Sequence, residues 1–390
     1  MHPNLSRVLV EERRERFNVD DLAKLAQVKV DWATAEILAF GSLLKQNQSV
    51  RIAGQDVARG TFSTRHAILY DQTTGESYTP LNEMICDREK QRAKLEVANT
   101  ILSEEAAMAY EFAYSTETCA LTIWEAQFGD FFNTAQSIID TLVSSSESKW
   151  LKQSPLTLLL PHGLDGAGPE HSSAHIERFL QMSSSSVNSI DTEANVNWSI
   201  CFPTQPSQYF HLLRRQVMRP FRKPLVVMSP KVIFRHPGCV SELAHFALEQ
   251  SFKPVLEDES ANESLDKIDT IALCSGKVYF LLKEEKLKRG LNNVALVRVE
   301  ELCPFPIKSL VETIQRYPNV KHDKLVWVQE EHRNQGAFSY VEARLSALAG
   351  IKLRYVGRAE SELPATGCTS QHKRELDQLL RDFQNLGPRK

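Results

Sequence analysis

No stretch of this chain approaches the roughly 20 consecutive apolar residues that a helix needs to span a bilayer, so membrane insertion is not expected. Nor is there an excess of positive charge. The 46 Lys and Arg against 49 Asp and Glu leave −3 at pH 7, which gives no electrostatic footprint for nucleic acid. The cysteines Cys86, Cys119, Cys201, Cys239, Cys274, Cys303 and Cys368 stand singly, with no C-x-x-C pair and no metal-knuckle spacing. Several lie inside apolar segments, where cysteine acts as a small hydrophobe, and a reducing compartment suits them. The amino terminus, MHPNLSRVLVEERRERF, mixes acids with bases and so resembles neither a secretory signal nor an acid-poor transit peptide. No internal repeat is visible.

What the chain does have is length and rhythm. Its 390 residues, 42% of them apolar, suffice for about two or three domains with real cores. After a charge-rich lead-in over 1–27, VDWATAEILAFGSLLKQ reads as a helix with Ala35, Leu38, Ala39 and Leu43 on one face. Strand-like VRIAGQDV (50–57), CALTIWE (119–125), LTLLLP (156–161), VNWSICF (196–202) and PLVVM (224–228) then alternate with helical patterns at 103–115, 131–143, 172–182 and 207–217. That alternation predicts an α/β fold, a parallel sheet with helices on both faces, over 28–250. The serine-rich 183–197 reads as a surface loop and the acidic 251–267 as a linker. Beyond it TIALCS, NVALVRV, KLVWVQ and KLRYVG read as strands of a smaller α/β domain over 268–390, closed by a charged helix at 370–385.

The densest chemistry lies in PLTLLLPHGLDGAGPEHSSAHIERFLQM, residues 155–182. An apolar strand runs into a glycine-rich loop presenting His162 and His171, and then into a helix with Ser172 and Ser173 as candidate caps and Ile176, Phe179 and Leu180 on an apolar face. Strand, glycine loop and helix is how open α/β sheets build ligand sites at the carboxyl ends of their strands.

Taken together with DWATAEILAFGSLL, GQDVARGTFSTRHA, YTPLN, LSEE, WEAQFGDFFNTAQSIID, PTQPSQYFHLLRRQ, RKPLVVMSPK, LCSGKVYF, VRVEELCPFP and QEEHRNQGAFSYVEARL, this segment resembles one family. It is that of the thiamine-diphosphate-dependent dehydrogenase components of the 2-oxoglutarate and 2-oxoadipate dehydrogenase complexes. LDGAG, with small Ala167 between glycines, is more similar to the oxoadipate branch. The resemblance implies a transketolase-like pyrimidine-binding domain followed by a transketolase-type carboxyl-terminal domain. It implies oxidative decarboxylation of a 2-oxo acid with transfer of the acyl group to a lipoylated acyltransferase partner, within a homodimer, and by kinship a mitochondrial location. Glu104 matches the glutamate that meets the cofactor's aminopyrimidine; Phe128, Phe131 and Gln127 match the groups around that ring. His171 and His162 match catalytic histidines, while His66 and Arg65, with His171, match the substrate side.

One half of the expected site has no match. The Gly-Asp-Gly segment by which this family binds Mg²⁺ and the cofactor diphosphate is absent, and no metal ligand is assigned here. The chain therefore reads as the pyrimidine half only, inactive alone. It is expected to be the carboxyl-terminal part of such a dehydrogenase, or alternatively a β-type subunit that pairs with a separate diphosphate-domain chain, or a non-catalytic modulator of a full-length relative.

Overall fold

The computed structural model describes Glu15, Phe17, Asn18 and residues 22–84, 92–118, 120–261 and 265–387. Most of the 1–27 lead-in, with Cys86 and Cys119, lies outside the described residues. Helix α1, Trp32–Lys45, starts where Asp31 accepts the Thr34 N–H at 2.8 Å, an N-cap that satisfies one of the helix's orphan donors. Ala35, Ala39 and Leu43 are buried as the periodicity requires, and Leu38 is half-buried at the edge of that face.

The main sheet is built from β1 (Val50–Gly54), β2 (Leu95–Asn99), β3 (Leu121–Glu125), β4 (Thr157–Pro161), β5 (Ser199–Cys201) and β6 (Leu225–Ser229), in the spatial order β5-β6-β4-β3-β1-β2. All these pairs are parallel; Leu158, for example, sits opposite both Trp124 and Val226. Strands β4 and β6 are buried along their whole length, which is why they read as unbroken apolar runs rather than as alternating patterns. Helices α2 (Glu104–Glu117), α3 (Ile176–Gln181) and α4 (Pro206–Met218) belong to this unit.

The carboxyl-terminal half forms a second sheet from β7 (Val255–Leu256), β8 (Thr270–Cys274), β9 (Val294–Val299), β11 (Leu325–His332) and β12 (Arg354–Arg358), in the order β7-β9-β8-β11-β12. Only β7 runs antiparallel. Between them β10, Glu301–Cys303, leaves this sheet and pairs antiparallel with β5, as the seventh strand of the main sheet. The two halves share one apolar core, in which Leu158, Leu160, Trp198 and Phe202 cluster with Leu273, Val297 and Trp327. Helices α5 (Val278–Arg289), α6 (Ile307–Gln315), α7 (Phe338–Ala349) and α8 (Thr369–Gln384) complete the architecture, which is the α/β class expected.

Three local departures have physical causes. Over 172–182 only Ile176–Gln181 is helical, led by His175 in the left-handed region. Ser172 and Ser173 do not cap it, because the Ser172 hydroxyl donates to the Gly168 carbonyl at 2.6 Å and the Ser173 Oγ accepts the His175 N–H at 3.1 Å, ahead of the helix, while their N–H groups both donate to Asp130 at 3.0 Å. Over 131–143 the chain winds first as a tight 3₁₀ helix at Gly129–Ala135 and later as a wide π turn at Ile139–Val143, and the Thr134 hydroxyl is drawn to the Phe131 carbonyl at 3.1 Å. Within 251–267, Val255–Leu256 is a strand and Asp258 is buried on Lys286 at 2.7 Å, a pairing that hides a sheet edge behind an acidic composition.

Candidate functional site

The loops that leave the carboxyl ends of β1, β2, β3, β4 and β6 converge, as the crossover geometry of a parallel sheet dictates. Gly129 permits one of these approaches. A Cβ there would lie 2.5 Å from the Pro161 carbonyl oxygen and 2.6 Å from the Ala174 Cβ. With glycine in place, the turn after β3 lies directly on the end of β4.

That approach assembles an aromatic cluster. The His171 ring stands edge-on to Phe128, with centroids 4.5 Å apart, and to Phe131 at 5.8 Å; the two phenylalanines meet at 5.9 Å. Phe128 and Phe131 are half-buried and His171 is exposed, so the cluster keeps open faces. Phe132, the neighbour in sequence, points the other way into the core against Phe179 at 4.9 Å.

Glu104 opens α2, whose N-cap Ser103 accepts the Ala106 N–H at 3.3 Å. An acid in this turn is favoured by the helix dipole. Its Oε2 accepts the Thr134 hydroxyl at 2.8 Å, and through Thr134 the carboxylate joins the turn that carries Phe131. Glu104, Phe128, Phe131 and His171, drawn from three separated segments, thus occupy one surface. Gln127 flanks it and donates from Nε2 to Asp56 Oδ2 at 3.0 Å, which ties the β3 loop to the β1 loop. His66 lies on that β1 loop in the left-handed region, its Nε2 3.2 Å from the Ser63 carbonyl. The loop reaches the cluster through Phe62, 5.7 Å from Phe128.

Two expected site residues stand elsewhere. Arg65, expected on the substrate side, is buried at 7% exposure. Its guanidinium is held by Glu36 (2.6 and 3.1 Å), Glu125 (2.9 and 2.5 Å) and the Val57 carbonyl (2.9 Å). With all of those donors directed inward it has no open face for a substrate carboxylate, and it serves instead to lock the 55–68 loop. Burial opposes its charge, but the Glu125 and Glu36 carboxylates hold its pKa well above the ordinary arginine value.

His162, expected to be catalytic, is 1% exposed. Its Nε2 donates to Glu331 Oε1 at 3.0 Å across the domain boundary, and its Nδ1 accepts the Ala174 N–H at 3.0 Å. Burial disfavours a charged ring, whereas the Glu331 hydrogen bond and the Glu331 and Glu330 charges raise its proton affinity. A proton on Nδ1 would nevertheless face the Ala174 N–H, so the geometry holds the neutral Nε2–H tautomer. Through these two hydrogen bonds the buried ring fastens the domains together.

Sequence reading passed over Thr134, Asp130 and Lys231. Lys231 follows β6 within RKPLVVMSPK, and a basic residue just past the carboxyl end of a parallel strand was the available signal.

Chemically, the cluster offers half-buried ring faces, a carboxylate and an imidazole, a combination that suits a flat heterocycle with a hydrogen-bonding edge. Among the described residues no group of three or more His, Cys, Asp or Glu is arranged to hold a metal ion, and no helix is long and apolar enough to cross a membrane.

The transketolase pyrimidine-binding domain model matches residues 28–236, and the 2-oxoglutarate dehydrogenase C-terminal model matches residues 240–383. The chain is 47% identical over 382 residues to the 2-oxoadipate dehydrogenase complex component E1 of Xenopus laevis, an alignment covering 97% of this chain and 40% of that protein. It is 46% identical over 383 residues to the human protein of the same name, again 97% of this chain and 40% of the relative. To the 2-oxoglutarate dehydrogenase E1 component of Brucella anthropi it is 46% identical over 385 residues, 94% of this chain and 37% of the relative. The chain therefore spans about 40% of the length of the first of these relatives.

Proposed function

We propose that this chain, which belongs to the 2-oxoglutarate and 2-oxoadipate dehydrogenase family of transketolase-like proteins, supplies the pyrimidine-binding half of a thiamine-diphosphate site. The single observation that carries the reading is the convergence of Glu104, Phe128, Phe131 and His171 on one open surface. The fit is chemical: two half-buried rings and a carboxylate at a helix start match a planar aminopyrimidine, while the Gly-Asp-Gly segment expected to bind Mg²⁺ and the diphosphate has no match in the sequence. Those belong to a domain outside this chain, whether in the same polypeptide or in a separate diphosphate-domain subunit.

When bound, the cofactor supplies the electron sink for decarboxylation. Glu104 would hydrogen-bond a ring nitrogen of the aminopyrimidine, and Phe128 and Phe131 would pack against that ring, with Gln127 at the rim. His171 presents its imidazole to a 2-oxo acid, hydrogen-bonding the carboxylate or carrying a proton, and His66 borders the same space. The substrate is 2-oxoadipate or 2-oxoglutarate; small, exposed Ala167 leaves room for one more methylene, a difference of about 1–3 kcal/mol in recognition. The acyl group passes to the lipoyl arm of an acyltransferase partner. The working form is a homodimer or a pairing with the diphosphate-domain chain, located by kinship in the mitochondrion.

The test is reconstitution with the diphosphate domain and a 2-oxo-acid-dependent dye-reduction assay. Glu104→Gln is expected to lower turnover by about two orders of magnitude or more, and near-normal turnover of that variant would remove Glu104 from the mechanism. Micromolar binding of thiamine diphosphate and Mg²⁺ to this chain alone, measured by calorimetry, would overturn the half-site reading.

A further inference from the structure

His171, the residue proposed to face the substrate, is fixed through its backbone. Gly166 and Gly168, upstream of it, have positive φ values of 77° and 92°, so the loop has little intrinsic stiffness. It is nevertheless held on two sides. From the main domain, Asp130 accepts the Ser172 and Ser173 N–H groups, the Ser172 hydroxyl donates to the Gly168 carbonyl at 2.6 Å, and the Gly163 N–H donates to the Ser172 carbonyl at 2.9 Å. Lys231 Nζ donates to the His171 carbonyl and to the Gly163 carbonyl at 3.2 Å, and lies 3.5 Å from Asp165 Oδ2.

From the carboxyl-terminal domain, Lys277, the residue before α5, takes up the same carboxylate. Its Nζ donates to Asp165 Oδ1 at 2.5 Å and to the Leu164 carbonyl at 3.0 Å, and pairs with Glu330 on β11 at 2.7 Å. The side chains of Lys231 and Lys277 are only 5% and 12% exposed. Each ammonium thus donates two hydrogen bonds into the 163–171 loop and faces a further carboxylate, Asp165 for Lys231 and Glu330 for Lys277, so both are directed at the loop.

We infer that Lys231 and Lys277, joined through Asp165, form a two-domain clip that positions His171 over Phe128 and Phe131. They are positioning residues, acting through the loop backbone. The carboxyl-terminal domain thereby contributes to the site without touching it. Burial of Lys231 lowers its pKa and burial also opposes the charge on Lys277, whose pKa is raised on balance by Glu330 and Asp165, consistent with a network that relies on mutual neutralisation.

The role assigned to His171 rests on the proposed function; the clip does not. Hydrogen exchange on this chain separates the two. Lys231→Met and Lys277→Met are each expected to speed exchange of the amides over 163–173 by about tenfold or more, with β8 and β11 unchanged. The double variant should add little, because the two lysines share Asp165, and Lys231→Arg should restore most of the protection. Exchange over 163–173 within about twofold of the parent in both variants would overturn the clip, and so would equal acceleration in every strand, which marks general destabilisation. Should either variant fail to fold, Asp165→Asn, which keeps both lysines, carries the same expectation. In the reconstituted enzyme the Met variants should lower kcat by about tenfold or more while KM for thiamine diphosphate stays within about twofold. An unchanged kcat with a loosened loop sinks the positioning role, whereas a parent enzyme with no 2-oxo acid turnover sinks the proposed function and leaves the exchange result standing.

Discussion

Replacing Arg65 with methionine tests the reassignment of this residue from substrate ligand to buried lock. Five hydrogen bonds at 2.5–3.1 Å join its guanidinium to Glu36, Glu125 and the Val57 carbonyl. The Tyr209 hydroxyl adds a further bond to Glu36 at 2.8 Å. The three charged side chains are 6%, 7% and 12% exposed, so water screens them little. Methionine fills much of the same space but leaves two carboxylates without their cation. Removing one partner of a buried pair costs about 3–5 kcal/mol. In a domain of this size each kcal/mol shifts the melting temperature by about 2–4 °C, so Arg65→Met is expected to melt about 6–20 °C lower. Arg59→Met, the same change at an exposed neighbour on the same loop, should move it by about 1 °C or less. Circular dichroism melts of the three proteins suffice. If Arg65→Met melts with the parent and instead raises KM for the 2-oxo acid in the reconstituted enzyme, the lock is wrong and the guanidinium belongs to the substrate.

The two adjacent phenylalanines should separate cleanly: Phe132→Ala, at 1% exposure, should cost about 3–5 kcal/mol in urea unfolding, whereas Phe131→Ala should cost less than about 1 kcal/mol and appear as a raised KM for thiamine diphosphate. Equal costs would contradict the opposite orientations of the two rings. Asp165 makes the domain contact acid-sensitive, for although burial pushes its carboxyl up, Lys277 and Lys231 pull it below the ordinary value. The unfolded chain then takes up the proton first, so this contribution is complete above about pH 4 and is lost as pH falls through the lower folded value. Melting across that range should show a shallower acid limb for Asp165→Asn, and parallel limbs would refute the assignment. Gly129→Ala forces a Cβ against the Pro161 carbonyl and Ala174; it should lower stability by about 1–3 kcal/mol and disturb the Phe131–His171 contact, seen as altered ring shifts in NMR.

What the chain order alone determined was the α/β class and the residues whose chemistry is declared locally. Strands β4, β6 and β8 are legible because a strand buried on both faces reads as a near-continuous apolar run. Glu104 is legible as an acid at a capped helix start, and the His171 loop as glycines between a strand and a helix. Strand β2 was not legible, since an edge strand tolerates Glu96, which Arg51 pairs at 3.1 Å. Only the tertiary structure decided which histidine stays open and which arginine is inward. His162 meets Glu331 across 169 positions, Arg65 meets Glu125 across 60, and Lys277 meets Asp165 across 112. A charged side chain is exposed or buried according to whether a partner arrives to offset its desolvation, and those partners are brought by the crossovers of two parallel sheets, which local sequence does not encode.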